Sequence, residues 1–213
     1  MKEQRISYTH TNTYSTLNTV TSTTKRVWVV FHGMGYLTKY FINHFDGLSP
    51  AENYIIAPQA PSKYYQDKRF KYVGASWLTK ENTLLETQNV LNYLDAVWEM
   101  ERQQWKNQEV ELILMGYSQG VSIACRWAAS RKIVCNQLLL HSGAIPHELT
   151  PTDFEYLPET TKVTYLYGDK DEYIHEASKT EQQLKGSALF GNKLHIAVFD
   201  GVHEVHRPYI DRF

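Results

Sequence analysis

The chain has 213 residues, 42% of them hydrophobic and 21% charged, which is enough to bury the core of one α/β domain and argues against wholesale disorder. Its 22 basic and 23 acidic side chains leave a formal net charge of −1. No electrostatic attraction to nucleic acid or to an anionic membrane is therefore expected. We expect a single domain covering residues 1–213.

The beginning of the chain and the cysteines bear on its location. Residues 1–5 are rich in charge and no apolar segment follows them, so we expect neither a signal peptide nor a transmembrane segment. Cys125 and Cys135 are expected to be free thiols, as in an intracellular protein. Together these observations predict a cytoplasmic protein.

Strands and helices are predicted to alternate along the chain. Weak alternation at 6–10 and 13–17 predicts one or two antiparallel edge strands. Continuous apolar runs, typical of strands buried on both faces of a parallel sheet, lie at 27–31, 54–57, 110–115, 137–140, 162–167 and 194–199. Helices are predicted at 38–46, from 83 until the pattern fades into polar residues around 102–108, from 119 to about 130, at 176–189 and within 206–213. This order predicts an α/β fold, a mostly parallel sheet with helices on both faces.

Two segments between these elements carry further expectations. Thr83 and Glu86 have the spacing of a capping box at the start of the long helix. One helical face carries the apolar residues Leu84, Leu91, Leu94 and Trp98. Residues 58–80 show no clear period. A segment of that length without regular structure in a compact domain is usually functional or mobile.

One motif organises the chemistry of the chain. Gly116-Tyr117-Ser118-Gln119-Gly120 fits G-x-S-x-G, with an apolar strand before it and an apolar-faced helix after it. In the nucleophile elbow of α/β-hydrolases, a strained strand-to-helix turn exposes the serine hydroxyl above the sheet. Glycines at 116 and 120 would remove the Cβ atoms that such a turn cannot hold. We therefore predict Ser118 as a nucleophile.

A serine needs a base, and several histidines follow predicted strands. His203 follows the last strand on a glycine-bearing loop and is the preferred base, whereas His141 is its strongest rival. His195 is expected to be structural within a strand, and His175 and His206 are expected on the surface.

An acid must orient that base, and three aspartates compete for the role. Asp171 and Asp169 both follow the strand at 162–167, and the residues alone favour Asp171 only slightly; Asp200 is more plausibly a turn residue. The resulting chain order Ser…Asp…His is that of α/β-hydrolases, with ligands expected beyond the carboxyl ends of the strands.

Backbone amides are the expected stabilisers of a tetrahedral oxyanion. One should come from Gln119, directly after the serine, and the other from Met34 within His32-Gly33-Met34-Gly35, where glycines let the backbone approach a substrate. A metal site is not expected. His203 and His206 are three residues apart, whereas the zincin motif needs histidines four apart on a helix.

The set of motifs, taken in order, resembles the phospholipase/carboxylesterase family, which includes acyl-protein thioesterases and small bacterial carboxylesterases. The resemblance spans about residues 27–205 and rests on His32-Gly33-Met34-Gly35, Ser76-Trp77, Gly116-Tyr117-Ser118-Gln119-Gly120, Ser142-Gly143, Gly168-Asp169-Lys170-Asp171 and Gly201-Val202-His203. It implies that Asp171 is the acid, because Gly168, Asp171 and Ile174 match the family's G-x-x-D-x-x-V with Ile for Val. It also supports His203 as base and Met34 and Gln119 as oxyanion donors.

The resemblance implies a serine hydrolase that cleaves small-molecule carboxylic esters or thioesters of short to medium acyl chains and needs no cofactor. The alternatives are a lysophospholipase, an acyl-protein thioesterase or a hydrolase-fold protein that binds without catalysis. Residues 58–80 are expected to border the substrate pocket, and Trp77, Tyr36 and Ile174 are expected to line it.

Overall fold

The protein is described by a computed structural model that covers residues 1–174 and 176–213, so the expectation for His175 lies outside the described residues. Strands are β1 (Tyr14–Leu17), β2 (Arg26–Phe31), β3 (Asn53–Pro58), β4 (Ser62–Tyr65), β5 (Val73–Ser76), β6 (Glu111–Tyr117), β7 (Gln137–His141), β8 (Lys162–Gly168) and β9 (Leu194–Phe199). Helices are α1 (Thr38–Phe41), α2 (Thr83–Glu101), α3 (Gln119–Arg131), α4 (Glu176–Phe190) and α5 (Arg207–Ile210). Short 3₁₀ turns occupy Ile42–Phe45, Arg102–Gln104, Pro151–Asp153 and Gly191–Lys193.

A seven-stranded sheet lies at the centre of the molecule, in the order β1-β3-β2-β6-β7-β8-β9. β1 runs antiparallel to β3, and the pairs from β3 to β9 are parallel. Apolar side chains of α2, α3 and α4 pack on one face of the sheet, and those of α1 and α5 pack on the other. The predicted mostly parallel sheet with helices on both faces is therefore confirmed.

The N-terminal segment contains one of the one or two antiparallel edge strands that the sequence predicts. Residues 13–17 do contain an edge strand, but residues 6–10 form none and are exposed. β1 occupies the edge of β3, pairing Tyr14 with Pro58 through Leu17 with Ile55. The outer edge of β1 is the end of the sheet, and residues 6–10 do not pair with it.

The start of α2 also corrects the prediction. Asn82 precedes the helix in a left-handed conformation without a side-chain cap, and the Thr83 hydroxyl donates to the Thr79 carbonyl instead, so the capping box is wrong. Leu91 is buried as expected, but Leu84 is 91% exposed. Leu84 shares the apolar face yet borders an open groove of about 330 Å³, which Ala129 of α3 and Leu149 also line.

Residues 62–76 form a β-hairpin that the sequence pattern did not reveal. β4 and β5 pair antiparallel from Ser62–Ser76 to Tyr65–Val73. The Asp67 carboxylate accepts the amides of Arg69 and Lys71 and so closes the loop. β4 is exposed along its length, so burial imposes no alternation on its sequence. None of the helices in the described ranges is both long and apolar enough to cross a membrane.

Candidate active site

The turn between β6 and α3 has the geometry of a nucleophile elbow. Ser118 has φ 52° and ψ −119°, a strained conformation for a residue with a side chain. Its amide donates to the His141 carbonyl at 2.8 Å, and its own carbonyl accepts the Val121 amide at 3.0 Å. These bonds hold the strained backbone so that the side chain projects at the carboxyl edge of the sheet.

Glycine is required on both sides of the serine by close backbone contacts. A Cβ on Gly116 would lie 2.4 Å from the Gly120 carbonyl oxygen, and a Cβ on Gly120 would lie 2.0 Å from the Phe31 carbonyl oxygen. Such contacts are far inside van der Waals range. The turn therefore depends on hydrogen at these two α-carbons, as the G-x-S-x-G pattern predicts.

Ser118, His203 and Asp171 meet at this edge of the sheet. His203 Nε2 lies 3.0 Å from Ser118 Oγ, and His203 Nδ1 lies 2.7 Å from Asp171 Oδ2. Both separations are within hydrogen-bonding distance. Each residue follows a different strand, Ser118 after β6, Asp171 after β8 and His203 after β9, so the parallel sheet brings together residues far apart in sequence.

The surroundings of Asp171 determine which nitrogen of His203 carries the proton. Its side chain is fully buried, and its second oxygen accepts the Tyr173 amide at 2.9 Å. A carboxylate can only accept hydrogen bonds, so His203 Nδ1 carries the proton. The lone pair on Nε2 of a neutral His203 then faces the Ser118 hydroxyl, in the arrangement that general-base catalysis needs.

His141, the rival base, has a different environment. Its Nε2 accepts the His206 amide at 2.9 Å, so its Nδ1 donates to the Ser142 hydroxyl at 3.0 Å. Burial lowers the pKa of His141 to about 3. Both ring nitrogens are committed to neighbours and the ring is fully enclosed. This geometry leaves His141 no free nitrogen for Ser118.

His32 is a second enclosed histidine, at the carboxyl end of β2. Its Nε2 accepts the Ala60 amide at 3.1 Å and its Nδ1 donates to the Gly33 carbonyl at 2.8 Å. Burial lowers the pKa of His32 to about 4. The neutral ring thus braces the loop that starts at Gly33 against the chain after β3.

The competing aspartates hold other partners. Asp169 Oδ1 accepts the Gly201 amide at 3.0 Å, and exposed Asp200 forms an ion pair with Lys170.

The remaining histidines lie in different surroundings. His195 is exposed on β9, whereas the half-buried His206 ring stacks on Phe199 with centroids 4.1 Å apart, so the expected surface position of His206 is only partly right.

The loop after β2 is anchored to the hairpin. Gly35 has φ +88°, its amide donates to the Ala75 carbonyl at 2.9 Å, and its carbonyl accepts the Gln66 side-chain amide at 2.8 Å. Met34 precedes Gly35 with a side chain that is 63% exposed, and its amide has no protein acceptor within the described residues. Gln119 opens α3, where a first-turn amide has no acceptor inside the helix.

The Gln119 side chain has a role that the sequence analysis missed. Its Oε1 accepts the Trp77 amide at 2.8 Å, and its Nε2 donates to the Leu78 carbonyl at 2.7 Å and to the Ser76 hydroxyl at 3.1 Å. The side chain therefore fastens the base of the hairpin to the elbow. These partners lie about 40 residues earlier in the chain, and no pattern in a single sequence indicates that a polar side chain will bond to such a distant segment.

The three expected pocket residues lie in different surroundings. Trp77 is buried, and its indole nitrogen donates to the His32 carbonyl at 2.8 Å beneath the Gly33 loop. Tyr36 is half-buried, with its ring near that of Tyr117, and Ile174 is buried in the core cluster. Tyr36 alone of the three retains substantial solvent exposure.

Among the described residues, no group of three or more His, Cys, Asp and Glu side chains has a metal-binding arrangement.

Comparison with solved structures identifies the fold. Acyl-protein thioesterase 2 of Zea mays is 15% identical, with a TM-score of 0.69 over 95% of this chain and 96% of that one. Esterase PE8 is 20% identical, with a TM-score of 0.68 over 94% of this chain and 95% of that one. The chain has the α/β-hydrolase fold.

A third structure extends the comparison to the family suggested by the motifs. A phospholipase/carboxylesterase from Dyadobacter fermentans DSM 18053 is 17% identical, with a TM-score of 0.65 over 97% of this chain and 96% of that one. No protein-family model matches the sequence, and no curated protein matches it. At these identities the structural likeness establishes the architecture, and the chemistry must be argued from the site.

Proposed function

We propose that the protein is a serine hydrolase that cleaves carboxylic esters or thioesters of short to medium acyl chains, with the whole chain acting as one domain. The observation that carries the proposal is the pair of hydrogen-bonding contacts made by His203 at a strained elbow. Its Nε2 lies 3.0 Å from Ser118 Oγ, and its Nδ1 lies 2.7 Å from Asp171 Oδ2. The structural likeness to an acyl-protein thioesterase and to an esterase agrees with the proposal.

In the proposed reaction, Ser118 Oγ attacks the acyl carbon while its proton passes to His203 Nε2. The buried Asp171 carboxylate stabilises the imidazolium that forms and keeps the ring in place. His203 then gives the proton to the leaving alcohol or thiol, which leaves an acyl group on Ser118. Water, deprotonated by His203, attacks this acyl-enzyme, releases the carboxylic acid and restores the Ser118 hydroxyl.

The oxyanion formed in each half-reaction is assigned to the amides of Met34 and Gln119. Gln119 offers the first amide of α3, and the N-terminal end of a helix carries partial positive charge. Met34 precedes a glycine whose own amide and carbonyl are held by the hairpin, which fixes the loop before a substrate arrives. Donors placed in advance stabilise the transition state by about 10²–10³-fold in rate for each bond.

The decisive test compares Ser118→Ala with the wild type on p-nitrophenyl acetate, butyrate and octanoate. We expect the substitution to lower turnover by at least about 10⁴-fold, because the nucleophile itself is removed. Ser122→Ala is the matched control. The Ser122 hydroxyl lies in the first turn of α3, directly after the elbow, and donates to the Gln119 carbonyl. Retained turnover in Ser118→Ala would contradict the assignment.

Labelling with a fluorophosphonate probe separates catalysis from mere binding, because only an activated serine reacts readily. Wild type and Ser122→Ala should be labelled, and Ser118→Ala should not. A wild-type protein that resists the probe and hydrolyses none of the esters would favour a hydrolase-fold binding protein. S-acyl thioesters and lysophospholipids, assayed beside the p-nitrophenyl series, decide which ester class is preferred.

A further inference from the structure

Two loops at the carboxyl edge of the sheet are bonded to each other beside the catalytic candidates. Residues 169–171 follow β8 and carry Asp171, whereas residues 200–203 follow β9 and carry His203. The Asp169 amide donates to the Phe199 carbonyl at 2.9 Å, and the Lys170 amide donates to the Gly201 carbonyl at 2.9 Å. Backbone hydrogen bonds between the two segments thus continue past the ends of both strands.

The Asp169 side chain adds a third bond to this junction. Its Oδ1 accepts the Gly201 amide at 3.0 Å, so both backbone polar groups of Gly201 are held by the β8 loop. The loops are also in van der Waals contact, since a Cβ on Gly168 would lie 2.3 Å from the Gly201 carbonyl oxygen. Asp169 itself is fixed from the other side, where the Lys179 ammonium donates to its carbonyl oxygen at 3.0 Å.

Gly201 lies two residues before His203, so the position of Gly201 constrains the position of the His203 backbone. The imidazole must satisfy Asp171 at 2.7 Å and Ser118 at 3.0 Å at once, which tolerates displacements of only about 0.5 Å. The His203 backbone has a further anchor, because its carbonyl accepts the Tyr117 hydroxyl at 3.0 Å. Asp169 holds the loop before the histidine, and Tyr117 holds the histidine residue itself.

We propose that Asp169 is a positioning residue that holds the 200–203 loop through the Gly201 amide, so that His203 spans Asp171 and Ser118. This inference rests on the proposed function. It gives the second aspartate of Gly168-Asp169-Lys170-Asp171 a role separate from that of the acid. Asp171 contacts the imidazole, whereas Asp169 contacts a backbone amide and depends on its acceptor oxygen rather than on its charge.

The test compares Asp169→Ala with Asp169→Asn on a p-nitrophenyl ester. Asp169 is exposed, so both variants should fold, which thermal unfolding checks. The alanine variant should lose about five- to thirtyfold in kcat with KM changed by less than about twofold, because the misplaced base affects the chemical step and not ground-state binding. The asparagine variant should stay within about threefold of wild type, because its side-chain carbonyl still accepts the Gly201 amide.

Two controls bracket these results. Asp200→Ala removes the exposed ion pair with Lys170 from the same loop and should leave kcat within about twofold. Asp171→Asn should lower kcat by about 10⁴-fold, because the amide disturbs the imidazole tautomer. Full kcat in Asp169→Ala overturns the inference, and so does an Asp169→Asn variant as impaired as the alanine variant. A wild type without turnover or fluorophosphonate labelling refutes the proposed function instead, and the positioning role with it.

Discussion

Replacing Gln119 with alanine separates the proposed oxyanion role of its backbone amide from the contacts that its side chain makes with the hairpin. The substitution keeps the backbone amide at the start of α3 but removes a side chain that contacts Ser76, Trp77 and Leu78. Leu78 retains a partner, since its carbonyl also accepts the Ser76 hydroxyl at 3.0 Å. Trp77 does not, because its amide loses Gln119 Oε1 in a buried setting.

The expected loss of stability follows from that difference. A buried donor left without a partner lowers stability by about 1–3 kcal/mol, and a lost hydrogen bond between satisfied groups by about 0.5–1.5 kcal/mol. We therefore expect Gln119→Ala to lower the free energy of unfolding by about 2–3 kcal/mol, most of it from the Trp77 amide. If water enters the vacated space and bonds to this amide, the loss of stability falls at the lower end of this range.

Urea unfolding followed by tryptophan fluorescence measures this loss. The matched control is Gln88→Ala, which truncates an exposed glutamine on α2 whose side chain donates to Asn92. The control should change stability by no more than about 0.5 kcal/mol. Equal stability losses in the two variants would refute the reasoning, because they would show that the Gln119 bonds to the hairpin base contribute no more than a surface contact.

Three further predictions concern packing and ionisation. Gly120→Ala should prevent folding or lower stability by more than about 3 kcal/mol in urea unfolding, because its Cβ would lie 2.0 Å from the Phe31 carbonyl oxygen; a stable, active variant would contradict the tight turn. Burial lowers the pKa of His32 to about 4 and that of His141 to about 3, so below the ordinary value of 6.5 the unfolded chain binds more protons than the folded one. Stability should therefore fall by about 2 kcal/mol per histidine between pH 7 and pH 5, and a pH-independent urea midpoint over this range would argue against it. Burial raises the pKa of both cysteine thiols to about 12, so a disulfide reagent at pH 8 should titrate two thiols only after denaturant is added, and rapid reaction of the native protein would contradict their burial.

The apolar runs of the central strands are strong local signals because those strands are buried on both faces. β2, β3, β6, β7 and β8 lie within two residues of their predicted bounds for this reason. The prediction failed where burial is one-sided or missing. The β4–β5 hairpin is largely exposed along β4, and residues 6–10 carry a weak alternation but are exposed and form no strand.

The long helix shows a second kind of failure. The period of α2 predicted its apolar face, and Leu91 and Leu94 are buried as expected. Leu84 lies on that face but is exposed, because amphipathic spacing gives the direction of a side chain and not whether another element covers it. The helix start at Thr83 is right, although its supposed cap is not.

The sequence by itself determined where the parallel strands lie along the chain, the elbow around Ser118 and the set of residues that follow strand ends, because these depend on local period and on turn chemistry. Only the tertiary structure decided which of those residues meet. It pairs His203 with Asp171 and Ser118, encloses His141 and commits both its nitrogens, and directs Asp169 to the Gly201 amide. Such choices depend on sub-ångström placement of loops from distant parts of the chain, and no local pattern in a sequence records that placement.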